Sequence, residues 1–265
     1  MERGARRAPL SAFGRRGGPG RPYNGAHGER RPPVSGPPAH SSGVVPGAGQ
    51  AVLHLFCRPR GPVDATAVVA AAESARSQGN QVVAAALLGH KADIGLMVLG
   101  PDLWPLRDLQ TAVQRAGLEP VASYVSLTEV SEYAAGVPEE MKQARLFPQL
   151  PPEGKPAFCF YPMSKRRWTE HNWYALDFDD RRALMMGHGA VGRTFHGRVL
   201  QVVTGSTGLD DWEWGVTLFA TGPDDLKDCV YQMRFDEASS RYAEFGPFYT
   251  GMVAPLAEVV ERVAR

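Results

Sequence analysis

Residues 51–130 read AVLHLFCRPRGPVDATAVVAAAESARSQGNQVVAAALLGHKADIGLMVLGPDLWPLRDLQTAVQRAGLEPVASYVSLTEV, and the changing period of their apolar residues decides the fold. Short apolar runs bounded by Gly, Pro and Asp predict strands at Ala51–Cys57, Val82–Leu88, Ile94–Leu99 and Val121–Val130. Between them, helical spacing fits Ala65–Ser77 and Leu103–Ala116, so the order is βαββαβ. A Pro-rich joint at 147–155 follows, and then the series restarts. Strands fit Ala157–Tyr161, Val199–Thr204, Trp214–Ala220 and Phe245–Thr250, with helices at Phe178–Phe195 and Asp224–Arg234. Two βαββαβ units predict an α+β protein, a dimeric α+β barrel in the sense of two ferredoxin-like halves within one chain. The halves are residues 49–150 and 151–265.

Outward from that core, residues 1–48 form a Pro, Gly and Arg mixture. Residues 1–50 hold eight Arg against two Glu, a local balance of +6 hidden within an overall +1. Such a segment buries too little apolar surface to offset the entropy of ordering, so it is expected to be a disordered tail rather than a polyanion-binding arm. No nucleic-acid partner is expected. No apolar run reaches 18 residues and no apolar stretch follows the early arginines, so neither a membrane span nor a secretion signal is expected, and the compartment expected is the cytoplasm. Cys57, Cys159 and Cys229 have no metal or redox spacing and read as small buried hydrophobes.

The second half is richer in Trp, Tyr, His and Met, side chains suited to holding a large flat ligand. Leu184, His188, Val191 and Phe195 recur at helical spacing, which puts His188 on the apolar face. A lone core histidine would more often just satisfy a backbone carbonyl. Here Gly187 and Gly189 flank it, and each costs a helix about 1 kcal/mol against alanine. Their absence of side chains lets a macrocycle approach, with the imidazole placed as an axial iron ligand. In FCFYPMSKRR (158–167) a strand runs into three cations, and Tyr161 and Lys165 stand where a phenol and an ammonium can meet buried carboxylates. Ordinary packing and a solvated loop explain the same residues taken alone. Gln201 interrupts the apolar strand VLQVVTG, either as a satisfied glutamine or as a neutral donor above a metal.

FYPMSKRR, HNWYAL, MMGHGAVGR, GSTGLDDWEWGVTLF and MRFDEASSRYAEFGPF, in that order from Phe158 to Thr250, resemble the coproheme decarboxylases of the chlorite-dismutase-like superfamily. GHKAD and SYVSLTEV carry a fainter likeness in the first half. The resemblance implies a homopentamer with porphyrin in the second half of each subunit. It implies His188 as proximal iron ligand and Tyr161 as the residue that becomes a radical. Lys165 is implied as a second catalytic residue, either anchoring a propionate or steering the intermediate. Arg145, Met163, Ser239 and Tyr124 are implied as propionate and porphyrin contacts, with Gln201 on the distal side. The reaction implied is peroxide-dependent conversion of two propionates of iron coproporphyrin III (coproheme) to vinyl groups, giving haem b as the last step of haem synthesis. A porphyrin-delivering ferrochelatase is an implied partner.

Chlorite dismutases resemble this chain too, but carry an arginine where Gln201 stands. A neutral amide suits hydrogen peroxide better than an anionic oxidant. A non-catalytic haem carrier or sensor would need His188 without Tyr161, and a general peroxidase would show a distal acid–base pair, for which the sequence offers no candidate.

Overall fold

The structure, a computed structural model, describes residues 42–263; most of the expected tail lies outside the described residues. Within that tail's last residues, Val44 accepts from the Leu103 amide (3.1 Å) and donates to Asp102 (3.0 Å).

The first half runs β1 (Ala51–Pro59), α1 (Ala65–Ser77), β2 (Gln81–Leu88), β3 (Ile94–Gly100), α2 (Leu103–Arg115) and β4 (Leu118–Thr128). A short α3 (Glu139–Leu146) leads to the second half: β5 (Ala157–Lys165), α4 (Phe178–Arg193), β6 (Val199–Gly205), β7 (Trp214–Ala220), α5 (Pro223–Met233), α6 (Glu237–Ser240), β8 (Ala243–Phe245), β9 (Tyr249–Val253) and α7 (Leu256–Val263). The first half has strand order β4-β1-β3-β2 and the second β6-β7-β5-β9, the same arrangement twice. Two antiparallel seams join them. Leu127–Gly205 and Thr128–Thr204 pair β4 with β6, and Ala85–Val253 through Leu88–Thr250 pair β2 with β9. With β5 also paired to β7, eight strands close into a barrel without a free edge, and β8 adds only to the end of β5.

Period-two alternation sorts side chains to the two surfaces. Val52, Phe56, Met97, Tyr124, Phe158, Phe160 and Phe219 fill the barrel interior. Leu53, Leu55 and Cys57 point outward under α1, α2 and α7, whose buried residues Val68, Ala72, Leu106, Leu109, Val113, Leu256 and Val260 complete that layer. Each such Val or Leu side chain contributes about 1.5–3 kcal/mol when fully buried. The helices begin where the sequence caps them: Asp64 accepts from the Ala67 amide (2.9 Å) and Asp102 from the Trp104 amide (3.0 Å). After α2, Gly117 has φ +99°, and a Cβ there would stand 2.6 Å from the Pro62 carbonyl, so only glycine fits.

The outer face of the second half is covered differently. Leu226 and Val230 of α5 pack on Ala157, Cys159, Val216 and Leu218, whereas α4 rests on α5 and α6 and buries no residue fully. The three cysteines are free and buried, and burial pushes their thiols up to about 11 for Cys159 and Cys229 and about 12 for Cys57. They are apolar filler, as expected. No described helix is long and apolar enough to cross a membrane.

The structure corrects the expected strand Phe245–Thr250, which is two strands separated by Gly246–Phe248. The cause is on β5. Pro162 has no amide to offer a ladder, so the loop arches past it, and the Gly246 amide donates to the Pro162 carbonyl (2.8 Å).

Candidate active site

Beyond its buried stretch, β5 continues to Lys165, four residues further than its apolar run predicts, and Tyr161, Met163 and Lys165 alternate onto its outward face. Tyr161 is buried between Phe248 (ring centroids 4.5 Å, 23° between planes) and Phe245 (5.8 Å). Burial pushes its phenol well above the usual range, with the Arg234 guanidinium partly opposing. No hydrogen bond reaches its hydroxyl among the described residues. Met163 is half-buried against the same cluster.

Lys165 is buried as well. Its Nζ donates to the Ala238 carbonyl (2.9 Å) and stands 4.0 Å from the centre of the Trp173 ring. Loss of hydration pulls its pKa down to about 8, with Asp236 and Glu213 pulling the other way. The end of the strand is pinned by buried Glu213, which accepts from the Lys165 amide (2.7 Å) and pairs with Arg167 (3.3 Å).

On α4, His188 Nδ1 donates to Asp236 (2.9 Å). A carboxylate in that place fixes the proton on Nδ1 and leaves Nε2 free to bind a metal. Asp236 caps α6, accepting from the Ser239 amide (3.1 Å), so one carboxylate ties the histidine to the serine's helix. Burial works against the Asp236 charge, but the bonds from His188 and Ser239 outweigh it and hold the carboxyl below its usual range. His188 is less enclosed than its apolar spacing suggests: its side chain keeps 25% of its exposure, because α4 packs on helices rather than on the sheet. A Cβ at Gly187 would meet nothing within 4 Å, and one at Gly189 only the Arg193 guanidinium at 3.5 Å. That open flank, with a free Nε2 and exposed Met186, fits an iron porphyrin better than a packed core histidine would.

Gln201 lies exposed on the outer face of β6. In register, Val203, Val216 and Tyr161 form one row across the sheet and Gln201, Leu218 and Cys159 the next, so Gln201 shares the Tyr161 face two strands away. Beside Tyr161 opens a cavity of about 770 Å³, bordered by the cations Arg166 and Arg234, the carboxylate of Glu244, and Trp212, Ser239, Phe245 and Phe248, a volume in the range of small-molecule sites. His188, Gln201 and Lys165 do not line it directly; Phe245 and Phe248 link it to Tyr161, and Ser239 links it to Asp236 and His188.

Two expected contacts stand apart. Tyr124 faces the barrel interior, packed on Phe160 and bonded to the Ser206 hydroxyl, and reaches the cavity wall only from behind through the Trp212 carbonyl (3.3 Å). Alternation along β4 puts it on the inner surface, opposite to the face that carries Tyr161. Arg145 is exposed in the last turn of α3, outside the cavity, with no hydrogen bond or ion pair among the described residues. Conversely, Asp236, Arg234, Glu213 and Phe248 carry parts of the site that residue patterns did not single out. An Asp before small residues, as in DEASS, is the usual N-cap signal and could have pointed to Asp236, but the four-residue helix it starts has no period to mark it. Arg234 had no such signal; its placement over the Phe245 ring (3.9 Å) is tertiary.

The sequence profile of the chlorite dismutase family matches residues 63–254. The coproheme decarboxylase of Staphylococcus carnosus is 45% identical over 179 residues, which cover 64% of this chain and 71% of that protein. A protein of Natronomonas pharaonis described as haem-binding is 47% identical over 182 residues, 62% of this chain but only 30% of its own length. Among solved structures, a haem-binding protein from Thermus thermophilus superposes with a TM-score of 0.72 at 35% identity, over 81% of this chain and 94% of that one. The duplicated barrel, the matching profile and these relatives agree: the chain belongs to the chlorite dismutase family.

Proposed function

We propose that this protein is a coproheme decarboxylase, oxidising two propionates of iron coproporphyrin III to vinyl groups with hydrogen peroxide and yielding haem b. The observation that carries the reading is the buried Tyr161 ring, its hydroxyl unbonded among the described residues, on one strand face with Lys165 and packed on Phe245 and Phe248, which also border a cavity lined by Arg166, Arg234, Glu244 and Ser239. The similarity to the Staphylococcus carnosus enzyme supports it.

His188, held through Nδ1 by Asp236, would bind the iron through Nε2. Bound iron porphyrin supplies the centre at which peroxide is reduced. Arg234, Arg166 and Ser239 would hold carboxylates at the cavity, while Gln201 offers a neutral donor on the same sheet face, two strands from Tyr161. Tyr161, oxidised to its phenoxyl radical, would take a hydrogen atom from the propionate β-carbon. Loss of one further electron to the peroxide-derived oxidant breaks the bond to the carboxyl carbon and releases carbon dioxide. The balance per propionate is one peroxide consumed, with one vinyl group, one carbon dioxide and two waters formed. We infer that Arg145 joins a carboxylate only after α3 side chains move, and that Met163 packs against the macrocycle edge. Assembly into a homopentamer and porphyrin delivery by a ferrochelatase belong to the same proposal.

Adding coproheme and peroxide to the purified protein tests it: extracted porphyrin should lose the mass of one and then two carboxyl groups, and an unchanged mass would leave only a carrier. His188→Ala should shift the absorption bands of bound iron porphyrin and weaken binding by about tenfold, the remaining affinity coming from carboxylate contacts and buried ring area. A spectrum like the parent's would remove His188 as the ligand.

The lowered pKa of Lys165 gives a pH dependence. Below about pH 8 the ammonium is already charged and can pair with a carboxylate without taking up a proton. Above it, binding must first restore the proton, so coproheme affinity falls as pH rises, by up to about tenfold per pH unit until the higher pKa of the complex is reached. Coproheme titrations from about pH 7 to about pH 9.5 should show the decline in the parent and a flat profile in Lys165→Met.

A further inference from the structure

Both β8 and β9 pair with the same edge of β5, β9 as far as Phe160 and β8 from Met163 onward. Tyr161 and Pro162 are the two residues that neither strand reaches, and the loop 246–248 spans them. At its first residue the loop is held by the Gly246 amide on Pro162 and by close packing: a Cβ on Gly246 would stand 2.7 Å from Pro162 and 2.9 Å from Trp212. At its last residue the tie comes from the other half of the molecule. The Phe248 carbonyl accepts from Lys91 Nζ at 2.7 Å, and the same ammonium stands 5.8 Å from the Tyr249 ring.

Lys91 lies in the turn between β2 and β3, the GHKAD stretch (89–93), which no part of the proposed chemistry uses. That turn is rigidly placed, since the Asp93 amide donates to the Cys57 carbonyl (2.9 Å) and the Leu87 amide to the Asp93 carbonyl (2.8 Å). Lys91 is exposed and has no carboxylate partner among the described residues; its polar contact is this carbonyl. A hydrogen bond from a charged donor is stronger than a neutral one, and here it fixes the backbone of the residue whose ring covers Tyr161.

We propose that Lys91 is a positioning residue: from the first half of the barrel it pins the Phe248 carbonyl, and thereby keeps the Phe248 ring stacked on the buried Tyr161. The role acts through Phe248 and not on substrate. Its consequence for turnover rests on the proposed function, while its consequence for the loop does not.

The test uses the full chain with Lys91→Met, which keeps the aliphatic stem, and Lys91→Arg, which restores a cationic donor. Without any porphyrin, amide hydrogen exchange in a peptide spanning 246–250 should speed by about tenfold in Lys91→Met and return toward the parent in Lys91→Arg. Spectrophotometric titration, with Tyr161→Phe to identify the phenol, should show Tyr161 ionising at lower pH in Lys91→Met. With coproheme and peroxide, kcat for decarboxylation should fall by about fivefold, with coproheme Kd within about twofold of the parent. Unchanged exchange and phenol titration in Lys91→Met would overturn the proposal whatever the enzyme does. Faster exchange with parental kcat, in a parent that decarboxylates, would overturn the link to Tyr161. A parent that leaves coproheme intact would refute the proposed function instead, and exchange and phenol titration would still judge Lys91.

Discussion

Tyr161→Phe should still bind coproheme, within about threefold of the parent, and form three-propionate product or haem b at least about 100-fold more slowly, a loss of about 2.7 kcal/mol or more in transition-state stabilisation. The substitution removes one oxygen and keeps the ring that stacks between Phe245 and Phe248. Because no described residue bonds to that hydroxyl, its loss leaves no partner unsatisfied, and the melting temperature should stay at or slightly above the parent's. Peroxide consumption at the iron should persist, since His188 and Gln201 are untouched. Mass spectrometry of extracted porphyrin reads the result, and full conversion by the phenylalanine variant would end the assignment of Tyr161 as hydrogen acceptor.

Gly251→Ala should be the most damaging small change to stability. Gly251 sits at the seam where β9 pairs with both β2 and β5, opposite Leu87 and Phe158. A Cβ there would collide with the Ala86 carbonyl oxygen and lie 2.9 Å from the Leu87 Cα, both backbone atoms that cannot rotate away. Relief requires the seam to separate. We expect a loss of about 3 kcal/mol and a fall in Tm of about 6–12 °C, read by thermal or urea unfolding. A loss under about 0.5 kcal/mol would show that the seam yields easily.

The elements were legible wherever one physical signal dominated. Ala65–Ser77 matches to the residue because Asp64 caps it, Val68, Ala72 and Ala75 set its period, and Gly79 at positive φ follows it. The barrel was legible because both halves repeat the same order, and the family match over residues 63–254 agrees with it. Where two features competed, the pattern misled. Phe245–Thr250 reads as one apolar run, but Gly246 and the amide-free Pro162 opposite break it. The four-residue α6 is too short to have a period, so the helix presenting Asp236 and Ser239 was invisible as an element although Ser239 was expected at the site. Tyr124 and Tyr161 look alike as strand tyrosines. Only the register of β4 and β5 around the barrel puts one inside and the other outside. Tyr161, Met163, Lys165 and Ser239 are brought together beside one cavity, and His188 is joined to them through Asp236, a tie that no spacing between positions 188 and 236 announces.

The closing seam also orders the birth of the protein on the ribosome. The four strands of the first half can pair among themselves as soon as β4 emerges, yet both outer edges, β2 and β4, then remain unsatisfied. Relief for β4 comes with β6, but β2 must wait for β9, more than 150 residues later in synthesis. At about 5–20 residues per second the nascent chain carries a bare, apolar strand edge for roughly 8–30 s, long enough for another copy or a chaperone to find it. The half-buried Gln81 at the start of β2 and the exposed Lys91 just beyond its end are then the polar sentries of that edge before they take up their places in the finished barrel.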